Sequence, residues 1–92
     1  MDSELAEIVA LKALAWLAAQ DDFMERFCAT SGLSPADLMS EASNSETLGG
    51  LLDFMLGDEE ILRSFCTDED INPDTPLLAR AALPGGNTPH WT

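Results

Sequence analysis

Between Leu48 and Cys66, apolar residues recur at helical spacing twice in succession, and this limits the chain more than any other feature. At about 100° per residue, Leu48, Leu51, Leu52 and Met55 fall on one arc, Phe54 and Leu56 widen it, and Glu46 and Asp53 lie opposite. A second stripe follows Asp58-Glu59-Glu60. Ile61 with Phe65 and Leu62 with Cys66 are i,i+4 pairs. The acids suit the positive end of a new helix, with Asp58 placed to cap it. The same pattern occurs once before. Phe65, Cys66 and Pro73 stand 38 residues after Phe27, Cys28 and Pro35. The same offset relates Leu52 to Leu14, Phe54 to Trp16, Ile61 to Phe23, Leu62 to Met24, Ile71 to Leu33 and Glu59-Glu60 to Asp21-Asp22. The expectation is two related helix-turn-helix repeats, a statement about architecture and not activity. The competing explanation is that any two amphipathic helices divided by acidic turns look alike.

Turn and cap residues mark the remaining boundaries. Asp2 or Ser3 caps a first helix that runs to about Ala19 and is rich in alanine and leucine. Leu5, Val9 and Trp16 share one of its faces, while Leu11, Leu14 and Leu17 spread around the others. A helix apolar nearly all round is either central to the fold or shared with a second subunit, which leaves monomer and homodimer open. The second helix starts at Asp21 or Asp22, buries Phe23, Met24, Phe27 and Cys28, and stops at Gly32. Ser34-Pro35-Ala36-Asp37 reads as a cap, a proline at the first helical position and an acid in the first turn. That third helix carries Leu38, Met39 and Ala42 and closes at Ser43-Asn44. Asn44 or Ser45 caps the fourth, in which Gly49 and Gly50 each cost about 1 kcal/mol against alanine. Those glycines either permit close helix approach or delay the helix until they are passed. A short sixth helix runs from Asn72-Pro73 or Thr75-Pro76 through Leu83, with Leu77, Leu78, Ala81 and Leu83 on its apolar side. Pro84-Gly85-Gly86 ends it, and Asn87 to Thr92 form a tail. Tyrosine is absent and β-branched residues are few, so no strand signal competes. The predicted fold is all-α: one compact bundle of five to six short helices over residues 1–86, with residues 87–92 as a C-terminal tail.

Ninety-two residues, 46% of them hydrophobic, suffice for one domain with a modest core. Seventeen acidic residues against four basic ones give a net charge of −13. Such a field repels phosphate backbones and anionic headgroups, which argues against nucleic acid and membrane surfaces as partners and leaves basic proteins open. Two cysteines make no disulfide scaffold, and Met-Asp-Ser-Glu lacks the positive start of a secretion signal, so a cytoplasmic location is expected. The longest mostly apolar run, Ile8 to Ala19, holds Lys12 and is too short to span a bilayer.

Candidate chemistry is sparse. Asp68-x-Asp70-x-Asn72 opens like a calcium loop, but Pro73 stands where the sharp turn needs glycine and Ala79 where a bidentate glutamate belongs. Cys28 and Cys66 read as buried thiols with no basic neighbour that would favour thiolate. His90, the only histidine, lies near the C-terminal end, where it makes a poor general base. The carboxylates cluster at helix starts, where capping accounts for them. Gly49-Gly50 and Gly85-Gly86 lack the spacing and the lysine of a phosphate loop. Arg26 and Arg63 follow acids by one turn and read as helix-surface pairs. No catalytic residue, metal ligand or cofactor site is expected, and the chain reads as a non-enzyme. Pro89-His90-Trp91-Thr92 is the most function-like feature, because a tryptophan there either folds back onto a groove or enters a partner's pocket. His90 and Trp91, with Arg80, are the candidate partner contacts.

Five segments carry a resemblance across nearly the whole chain. They are Ala13-Leu14-Ala15-Trp16-Leu17, Arg26-Phe27, Gly32 to Leu38, Leu52-Asp53-Phe54-Met55-Leu56, and Arg80-Ala81-Ala82-Leu83-Pro84-Gly85-Gly86 with Pro89-His90-Trp91 behind it. With these the sequence resembles a family of short uncharacterised bacterial proteins known only as a domain of unknown function. Gly49-Gly50 departs from the alanine-like residues expected there. The resemblance implies a small helical bundle and supplies no activity or catalytic residues. The resemblance also implies a hint toward a signalling partner, such proteins often being encoded near response regulators. The functional expectation is a protein-protein interaction or adaptor module, the alternative an acidic regulator occupying a basic, nucleic-acid-binding groove of a partner.

Overall fold

The structure is a computed structural model and describes residues 1–83. Among these residues it contains six helices and no strand: α1 (Ser3–Ala18), α2 (Asp21–Ser31), α3 (Pro35–Ser40), α4 (Ser45–Leu56), α5 (Glu59–Asp68) and α6 (Asp74–Ala82). The all-α bundle expected from the sequence is what forms. No helix among the described residues is long and apolar enough to cross a membrane.

Local chemistry sets most boundaries. The Asp2 carboxylate accepts from the Leu5 amide at 2.8 Å and caps α1. Ser34 and Asp37 form a reciprocal capping box behind Pro35. Asn44 accepts from Glu46 and Thr47, and Asp58 from Glu60 and Ile61. Because Asn44 already starts α4, the helix runs through Gly49 and Gly50 instead of waiting for them. One boundary differs from expectation: the third helix stops at Ser40, short of Ala42. Of the two starts expected for the sixth helix, the earlier holds, and α6 begins at Asp74, directly after Asn72-Pro73. Asn72 accepts from the Asp74 amide just ahead of it.

The 38-residue offset extends to whole elements. It carries the last residue of α1 onto the last of α4, and the first of α2 onto the first of α5. Gly32, at φ 79°, maps onto Asp70, the one positive-φ residue among the described residues that is not glycine, at φ 53°. The edge-to-face pair Trp16–Phe65, 5.5 Å between centroids, maps onto Phe54–Phe27 at 5.1 Å. Each unit therefore holds three helices, α1–α3 and α4–α6, and each sends an aromatic ring into the other.

The core lies where α1 meets α4, with α6 packed beside both. Leu17, Leu48, Leu51, Leu52, Met55, Ile61 and Phe65 are fully buried, and Ala6, Ala10 and Ala13 let the other helices approach α1 closely. The apolar side expected of α6 is corrected: Leu77 and Leu78 face solvent, and Pro76, Ala79 and Leu83 face the core. Met39 on α3 is likewise exposed, leaving Leu38 as that helix's anchor. In α2, Met24 and Phe27 are buried, whereas Phe23 and Cys28 are half-buried.

Candidate functional site

Helix α2 turns Phe27 inward, and α4 brings Phe54 over it at an interplanar angle of 60°. Leu33, just beyond the Gly32 turn, closes the same end. Thr47 and Gly50 stand one turn apart along α4, and the glycine contributes no side chain where the groove opens. Together with Thr30, Ser31 and Asp53 these residues line an open groove of about 430 Å³. Its floor is aromatic and aliphatic, and its rim carries hydroxyls and one carboxylate.

That carboxylate belongs to Asp53, which accepts from Arg80 Nε at 2.6 Å. The pair ties the last turn of α6 to α4, and the Arg80 side chain is only 16% exposed. Among the described lining residues Asp53 is the only ionisable group, and none is a thiol or an imidazole. The arrangement suits holding an apolar side chain.

Of the residues singled out from the sequence, Arg80 stands beside this groove, paired to its rim. His90 and Trp91 lie outside the described residues, as does the tail. Arg26 does not pair with Asp22; it reaches Asp58 and Glu60 on the other unit, each at 3.2 Å, and lies 5.3 Å over the Phe23 ring. Arg63 pairs with Glu59 one turn earlier, as expected. Asp68, from the calcium-like turn, accepts from the Trp16 indole nitrogen at 2.8 Å. Both cysteines are free, and Cys28 donates toward the Met24 sulfur at 3.7 Å. Burial pushes the Cys66 thiol above its ordinary value of 9.0.

The sequence reading passed over the groove because it needs two helices from different units to cross. One signal was present: Gly50 costs helix stability, and nothing stands within 4 Å of where its Cβ would be, so no crowding in the bundle requires glycine there.

A family model described as "Protein of unknown function (DUF3572)" matches residues 3–86, all of the bundle. The chain belongs to the DUF3572 family. The match takes in Leu83-Pro84-Gly85-Gly86 and stops before Pro89-His90-Trp91. No curated protein and no solved structure matches the chain.

Proposed function

We propose that this DUF3572 protein is a non-enzymatic protein-protein interaction module whose groove receives an apolar side chain from a basic segment of a partner. The Phe27–Phe54 groove carries this reading: it is an apolar concavity in the surface of a chain with net charge −13. Apolar contact supplies affinity there, and the surrounding acids favour lysine and arginine on either side of the anchor. Arg80 keeps the rim in place by fixing Asp53 to α6. His90 and Trp91, outside the described residues, are the further candidate contacts.

The alternative is a regulator that presents its carboxylates to the basic, nucleic-acid-binding groove of another protein. The net charge supports it, as do the acids in the first turns of α2 and α5, Asp21-Asp22 and Glu59-Glu60.

Affinity capture with the immobilised full chain at low salt and at about 0.5 M salt separates the two. For the groove module, a captured protein resists the higher salt and is lost on Gly50→Leu, which fills the groove, or on Trp91→Ala. For the acidic regulator, capture collapses with salt and ignores both substitutions. Salt-resistant capture that survives Gly50→Leu defeats the groove reading, and catalytic turnover by the isolated chain defeats both.

A further inference from the structure

Helix α1 is apolar on two sides, and the bundle covers only one. At about 100° per residue, Ala6, Val9, Ala10, Ala13, Leu14, Trp16 and Leu17 fill a single buried arc. The remaining arc carries Glu4, Ile8, Leu11, Lys12 and Ala15, all exposed, with Leu5 at its edge next to Trp16. Leu5 is exposed too, although it was expected to share a face with the buried Val9 and Trp16. Leu5, Ile8 and Leu11 are 48%, 47% and 42% open to solvent. The two charges on this arc are of opposite sign in a molecule otherwise dominated by carboxylates.

Lys12 is the chain's only lysine. The three arginines are each paired to a carboxylate, whereas Lys12 has no carboxylate partner among the described residues. Glu4 stands two turns away, about 12 Å along the axis, too far to pair within one copy.

The order of residues on this arc is self-complementary. We infer that α1 packs antiparallel on α1 of a second copy of this chain, about a two-fold axis at Ile8. In that register Ile8 meets Ile8 once, on the axis, and the Leu5–Leu11 and Glu4–Lys12 contacts each occur twice, as an isologous interface demands. The aliphatic residues form the seam and the ion pairs flank it. Repulsion between two chains of net charge −13 is screened beyond about 8 Å at physiological ionic strength, while the seam itself carries balanced charge. One helix pair makes a small interface, of the transient class below about 1,200 Å², so the dimer is weak and concentration-dependent. This surface is separate from the α2/α4 groove and does not depend on its occupant.

Sedimentation equilibrium on the full chain, up to about millimolar concentration, tests the inference. The mass rises toward that of a dimer, and Ile8→Asp, which sets two carboxylates on the axis, weakens association roughly tenfold or more. The control Met39→Gln, equally exposed but on α3, leaves it unchanged. Lys12→Glu and Glu4→Lys each weaken the dimer, and the double exchange Glu4→Lys/Lys12→Glu restores it, because the paired charges lie on different copies. Far-UV circular dichroism shows each variant folded, since none touches the core. A chain that stays monomeric at millimolar concentration gives the face to some other occupant and overturns the inference. A dimer indifferent to Ile8→Asp, or not restored by the double exchange, overturns it too.

Discussion

Trp16 shows how far a single side chain can be read from sequence. Its helical position marks it as buried, and it is, but its indole N–H needs an acceptor, supplied by Asp68 from 52 residues away. Asp68→Ala leaves a largely buried donor unpaired and lowers stability by about 1–3 kcal/mol, whereas Asp68→Asn keeps an acceptor oxygen and loses less. Urea unfolding of the two variants checks the difference. Caps such as Asp2, Ser34, Asn44 and Asp58 were legible because their partners lie within three residues. The partners of Arg26 and Arg80 were not, because tertiary packing chooses them. Cys66 adds a pH dependence. The fold holds its thiol neutral, so that contribution is whole below about pH 9 and is lost as pH rises toward the raised value. Between about pH 8 and about pH 10 the wild type loses more stability than Cys66→Ala, measured as the shift in denaturation midpoint.

At the level of elements, the two units test each other. Gly32 and Asp70 occupy equivalent left-handed positions at the ends of α2 and α5, and only one is glycine. Gly32→Ala therefore destabilises by about 1 kcal/mol, and Asp70→Gly stabilises by a similar or smaller amount, since glycine alone adopts this conformation without strain. Opposite shifts in melting temperature are the expected result. The sequence revealed the offset through its aromatic, cysteine and proline positions but assigned each repeat only a helix pair. The third helix of each unit is short or weakly patterned: α3 has six residues, and α6 turns Leu77 and Leu78 outward. Periodicity identifies an apolar face without saying whether anything covers it. For α1, which is apolar on both sides, that question belongs to tertiary structure.

For the molecule as a whole, the account is of two three-helix units sharing one interior, with α1 and α4 back to back at its centre and carboxylates outside. All-α architecture was legible because the helical period runs along most of the chain. The groove was not, because it exists only where α2 of one unit meets α4 of the other; of the contacts singled out from the sequence, Arg80 stands at its rim, and His90 and Trp91 lie outside the described residues. A shared interior means that neither unit opens alone, and that α1 is protected by the core despite its exposed outer arc. Residue-resolved amide hydrogen exchange on the full chain measures this directly. The account predicts that the central amides of α1 and α4 exchange slowest and at matching rates, through the same global unfolding. An α1 that exchanges at loop rates while α4 stays protected would contradict it.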